Sequence, residues 1–163
     1  MNLAGNHMED WIYTLYKRHK LYYCVECGKC VAVCPMQDIF RNFDYEVTPR
    51  GIIKKVALYL DALKDDAIWF CLQCNACTDA CPAGVKYRDF MIAVRKYLVE
   101  HGNIANIDIC DSCGQYYITR YILNHIKNKL KCGDSDYLNV CPDCRDKFFV
   151  AKIRNIFHPL NMH

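Results

Sequence analysis

Apolar residues recur at intervals of three and four along much of this chain, the spacing of one face of an α-helix. Trp11, Ile12, Leu15 and Tyr16, with charges between them, predict an amphipathic helix over residues 8–21, preceded by a loose extension at 1–7. Thr48-Pro49 reads as a helix start, threonine as the cap and proline in the first helical position. Ile52, Ile53, Val56, Leu60 and Leu63 then mark a helical face through about residue 64, and Asp65-Asp66 interrupts it. Tyr87, Phe90, Met91, Val94, Tyr97 and Leu98 predict a further helix that ends near Gly102. Ile118, Tyr121, Ile122, His125, Ile126 and Leu130 predict another, ending at Gly133. Phe148, Phe149, Ile153, Ile156 and Phe157 form a last apolar stripe, which either docks a partner or closes a local core. Over residues 1–102 no stretch alternates as a strand would. The expected class is mainly α.

Cysteine breaks this helical pattern twice in the same way. Cys24, Cys27, Cys30 and Cys34 followed by Pro35 read C-x2-C-x2-C-x3-C-P, and Cys71, Cys74, Cys77 and Cys81 followed by Pro82 repeat it. Two such runs are the signature of two [4Fe–4S] clusters, and in two-cluster proteins the fourth thiolate of each run ligates the other cluster. Cluster one is therefore expected on Cys24, Cys27, Cys30 and Cys81. Cluster two is expected on Cys71, Cys74, Cys77 and Cys34. Zinc sites would leave the third cysteine of each run without a task, and radical enzymes that cleave S-adenosylmethionine space their three ligands differently.

Between the runs, residues 35–70 hold a whole helix, longer than the spacer of small ferredoxins built on β-hairpins. This favours an α-helical ferredoxin-like domain over residues 1–102. Gly28, Ala32, Ala76, Ala80 and Ala83 are small enough to let backbone N–H groups approach the sulfurs. Tyr22, Tyr23, Trp69, Phe70 and Tyr87 flank the loops and are expected to exclude water as core packing. Lys29 lies in the first loop, where the second offers Asn75 and then Asp79. On that contrast cluster one is expected to have the higher potential.

The stretches CVECGKCVAVCP, TPRGIIKKVAL and IWFCLQCNACTDACPAGVKYRDFMIAVRKYL resemble the C subunit of heterodisulfide reductase and its relatives over residues 8–100. The runs alone are also similar to cluster domains of succinate and glycerol-3-phosphate dehydrogenases. The resemblance implies an electron-transfer subunit, itself without catalytic residues. Its partners would be an A subunit bearing flavin and Fe–S clusters and a B subunit with cysteine-rich CCG motifs that reduces a disulfide. No two cysteines are adjacent here, so the substrate chemistry would lie on that partner.

Residues 103–163 are expected to be a small subdomain stapled by metal. Cys110-x2-Cys113-Gly114 and Cys141-Pro142-x-Cys144 form two hooks that suit tetrahedral zinc, with mononuclear iron the alternative, since the hooks also resemble those of rubredoxin. A segment this short has little core of its own, and a metal cross-link is the usual remedy. Cys132 is left over and reads first as a buried free thiol, with an alternative metal ligand or a redox-active residue the other readings, and His125 reads as a packed histidine.

Charge narrows the function classes. The 163 residues carry 21 Lys+Arg and 18 Asp+Glu, a formal +3. Two oxidised clusters and a thiolate-bound zinc would bring the loaded protein to about −3. The basic stretches at 17–20 and 127–131 then read as balancing surface charge rather than a nucleic-acid footprint. No apolar run is long enough to span a bilayer, no secretory signal is evident, and thiols at metal spacing suit a reducing compartment. A cytoplasmic chain is expected. Competing readings are a cluster- or zinc-dependent redox sensor, an iron–sulfur subunit of another dehydrogenase, and a thiol–disulfide enzyme using Cys132 or the C-terminal thiols.

Overall fold

The computed structural model describes residues 3–41, 43–58, 63, 66–130 and 136–157. It divides into two compact units, Met1–Ile104 and Ala105–His163. Among the described residues, no helix is long and apolar enough to cross a membrane.

Among the described residues of the first unit, every regular element is a helix. Helix α1 spans Leu3–Arg18, so the turn at residues 3–7, expected to be loose, is already helical. Of two short helices, α2 (Lys29–Ala32) carries Cys30 and α3 (Met36–Ile39) follows the proline of the first cysteine run. Helix α4 (Pro49–Ala57) begins as expected: the Thr48 hydroxyl accepts from the Gly51 N–H at 3.0 Å and Pro49 opens the first turn. It ends at Ala57, about two turns earlier than the apolar spacing suggested. Periodicity records where apolar side chains fall, not where the backbone leaves the helix. Leu58 is exposed, Leu63 reaches the core from a turn, and Leu60 lies outside the described residues.

Three more helices complete the unit: α5 (Ala67–Phe70), α6 (Ala76–Asp79) and the long α7 (Tyr87–Glu100). Helix α7 ends where expected, with Gly102 in the left-handed region at φ 83°. It contacts α1, α5 and α6, while α4 contacts α1 and α2, and α2 touches α6. Long helices therefore brace both cysteine turns, and the two turns meet. Leu21, Ile52, Ile68, Trp69, Phe90, Met91 and Val94 fill the interior.

The second unit departs from the expectation of helix alone. Ile107–Ile109 (β1) and Tyr116–Thr119 (β2) form an antiparallel pair, in register Ile107↔Thr119, Asp108↔Ile118 and Ile109↔Tyr116. Ile118, assigned above to a helix, belongs to β2. The run Tyr-Tyr-Ile-Thr is rich in the aromatic and β-branched residues that favour strands. Tyr117 is the extra residue at the irregularity, and its hydroxyl donates to the Leu138 carbonyl at 2.5 Å. Helix α8 (Arg120–Leu130) and helix α9 (Pro142–Phe157) follow. Ile107, Ile122, Leu123 and Leu138 make the core with Cys110 and Cys141. His125 is half-buried. Phe148, Phe149 and Ile153 are exposed rather than closing that core, and Cys132 and the side chains of Ile156 and Phe157 lie outside the described residues.

Candidate metal centres

The two cysteine turns of the first unit have the same backbone. Glu26 and Gln73 take positive φ (51° and 56°), as do Gly28 and Asn75 (80° and 74°). Val31 and Ala32 donate to the Gly28 carbonyl, and Thr78 and Asp79 donate in the same way to that of Asn75. Asn75 thus stands at the position of Gly28, and Ala76 at that of Lys29; the pairing of Lys29 with Asn75 assumed from sequence is one residue out. Asn is the side chain that best tolerates the left-handed region, which explains the exchange. Gly28→Asn should therefore leave stability nearly unchanged, whereas Gly28→Ala should cost about 1 kcal/mol in chemical denaturation. A Cβ there meets no atom within 4 Å, so the cost is backbone strain alone.

Repetition brings the two runs together around two neighbouring hollows. Cys24, Cys27, Cys30 and Cys81 line the first. Cys34, Cys71 and Cys74 line the second. Cys77, Pro49 and Tyr87 line both and form a common wall. Cys27 and Cys74, the middle residues of their turns, are exposed, whereas Cys77 is buried. Of the small residues singled out from sequence, Gly28 and Ala83 line the first hollow and Ala76 the second; Ala32 and Ala80 line neither.

The flanking aromatics divide. Trp69 and Tyr87 are buried as expected, but Tyr22 and Tyr23 are each 50 % exposed and lie against one another, ring centroids 4.2 Å apart. They do not act as core packing.

Burial pushes the Cys30, Cys34 and Cys71 thiols up, and Cys77 up to about 12. Four ionised sulfurs around one hollow therefore need a cationic occupant to stay charged. Iron in a cluster meets that need, and N–H donors are already aimed at the sulfurs: Gln73 to Cys71 Sγ at 3.3 Å, Val85 to Cys81 Sγ at 3.4 Å. The donor set fits the group. Around it, Glu26 is clamped by Arg50 at 3.0 Å and Lys54 at 2.8 Å, which fastens the first turn to α4. Those hydrogen bonds, Lys54's above all, hold its carboxyl below the usual range. Arg88 fastens the second turn to α7 through the Gln73 carbonyl at 2.9 Å.

Among known families, the 4Fe-4S dicluster domain matches residues 20–85, which contain both cysteine runs. The segment is a ferredoxin-like iron–sulfur domain. The protein is thereby an iron–sulfur protein of the electron-transferring kind. No curated protein matches the chain.

A third cysteine cluster occupies the second unit. Sγ atoms of Cys110, Cys113, Cys141 and Cys144 all lie within 4.8 Å of one another. The first hook sits in the connection between β1 and β2, where Gly114 turns at φ 70°; the second opens α9. Cys113 and Cys141 sulfurs are 3.8 Å apart, about the edge of a tetrahedron with metal–sulfur bonds of about 2.3 Å. Cys141 donates its N–H to Cys110 Sγ at 3.2 Å and Cys144 its N–H to Cys141 Sγ at 3.4 Å. Burial opposes ionisation of Cys110, yet backbone N–H groups of Cys141, Cys113 and Ser112 outweigh it and bring the thiol down to about 6. The cluster can hold a metal ion.

Sequence reading missed Arg95 and the Glu26–Arg50–Lys54 clamp. Arg95 was legible in principle, because it is a cation set four residues after Met91 and three before Leu98, on the apolar face of α7.

Proposed function

We infer that the chain is the electron-relay subunit of a cytoplasmic complex similar to heterodisulfide reductase. Cys24, Cys27, Cys30 and Cys81 would hold one [4Fe–4S] cluster, and Cys71, Cys74, Cys77 and Cys34 the other. What supports this reading most is that three cysteines of one run and the last of the other line each hollow, with Cys77 bordering both. Each cluster, when bound, exchanges one electron with little change of shape. The chain's own residues supply the sulfur ligands, keep water out through Trp69 and Tyr87, and hold the hollows side by side across a common wall. Zinc is the ion proposed for Cys110, Cys113, Cys141 and Cys144, as a structural staple of the second unit.

The partner assignment rests on the resemblance of residues 8–100 and on the lack of adjacent cysteines. It calls for a flavin-bearing subunit on one side and a CCG-type subunit on the other. Anaerobic purification from the native source tests it. The chain should come away with both partners and with about eight iron, eight sulfide and one zinc per copy. A fully loaded chain that purifies alone, or that is retained by nucleic acid, would refute the complex. Mononuclear iron in place of zinc would give about nine iron and a red, reducible C-terminal unit.

A further inference from the structure

Arg95 is a buried cation that the relay reading leaves unexplained. It is 3 % exposed on α7, and among the described residues no carboxylate pairs with it. Its Nε donates to the Ile68 carbonyl at 2.8 Å. Its Nη2 donates to the same carbonyl at 2.5 Å and to that of Cys71 at 2.6 Å, while the guanidinium lies 5.7 Å from the centre of the Trp69 ring. Carbonyl dipoles satisfy its donors but do not cancel a full charge. A buried charge left without a counter-ion is strongly unfavourable, so the fold must supply an anion nearby. Among the described residues, the sulfur set that begins at Cys71 is such a source, and Arg95 already holds the Cys71 carbonyl at 2.6 Å.

Among the described residues the first turn has no buried equivalent, although Lys29 and Arg50 line its hollow as Arg88 lines the second. Arg50, beside Cys24, is about a third exposed and already spends its charge on Glu26 at 3.0 Å. Lys29 is exposed to water and screened. The two hollows therefore share a backbone and differ in charge.

We propose that Arg95 is the resident counter-cation of the cluster held by Cys71, Cys74, Cys77 and Cys34, and that it raises the reduction potential of that cluster alone. The proposal rests on the two-cluster reading. Adding an electron makes the cluster more negative, and a fixed positive charge in a low-dielectric setting stabilises that added charge. Arg95 acts through the Cys71 backbone and through space. It is a positioning residue, not a ligand.

The test is an EPR-monitored redox titration of the anaerobically loaded full chain, with Arg95→Met and Arg95→Lys beside it, each checked for iron and sulfide. With about eight iron in all three, Arg95→Met should lower one of the two potentials by about 59 mV or more, a tenfold change in the reduced-to-oxidised ratio, and leave the other in place. Arg95→Lys should recover most of that shift. If Arg95→Met assembles only one cluster while Arg95→Lys assembles two, the charge requirement stands. Unmoved potentials in Arg95→Met, or loss of the same cluster from both variants, overturn the proposal, since shape and not charge would then be what matters. A wild-type chain with fewer than two clusters removes the reading beneath it and is seen at once in the iron count.

Discussion

Replacing Cys24 and Cys81 together by alanine should leave about four iron per chain, no fewer than replacing Cys24 alone. Replacing Cys24 and Cys34 together should leave almost none. The reason is the membership of the hollows: Cys81 shares a hollow with Cys24, whereas Cys34 borders the other one with Cys71 and Cys74. Two changes that strike the same cluster do not add, and two that strike different clusters do. If each run held its own cluster, the two double variants would exchange their results. Iron and sulfide counting after anaerobic reconstitution reads the outcome directly. The same four-iron residue from both double variants would exclude either arrangement.

Gly51→Ala should destabilise the first unit by about 1–3 kcal/mol or more. Helix propensity alone predicts the opposite, since alanine is better than glycine inside a helix by about 1 kcal/mol. Packing reverses the sign. A Cβ on Gly51 would collide with the Tyr45 carbonyl oxygen and stand 2.9 Å from its carbon and 3.1 Å from Glu46 Cα. All three are backbone atoms, and they belong to a 3₁₀ turn, Tyr45–Val47, that Thr48 locks to the helix. The Thr48 hydroxyl donates to the Tyr45 carbonyl at 2.7 Å while accepting from the Gly51 N–H at 3.0 Å, and Thr48 itself is buried. Any shift is passed on to Val47 and Pro49, which line the hollows, so cluster retention should fall with stability. Both tryptophans, Trp11 and Trp69, lie in residues 1–104, so their fluorescence during denaturation reports on this unit alone. A midpoint at or above that of the wild type would show that the contact is not tight.

How legible the molecule is from its sequence depends on the physics of each part. The cysteine runs were legible because spacing and chemistry coincide, and Thr48-Pro49 because capping is local. The end of α7 was legible from Gly102 for the same reason. The parts that were not legible depend on distant stretches of the chain. The end of α4 carries no glycine or proline, and the apolar spacing runs on past it through Leu60 and Leu63. Strand β2 is four residues long, and its identity comes from pairing with β1 across the Cys110–Cys113 hook rather than from alternation. The correspondence of Gly28 with Asn75 was legible by aligning the two runs, since each directly follows the second cysteine, and the backbone angles agree with it. Arg95 stood out as a cation on the apolar face of α7, but its partners appear only when α5 and the second turn fold against that helix and bring two carbonyls within reach of its guanidinium.

One cysteine of each hollow, Cys27 in the first and Cys74 in the second, is exposed. The opening through which an electron would pass to a neighbour is equally a door for dioxygen. Without neighbours over those corners, the loaded chain should bleach in air; with them seated, it should keep its colour for longer.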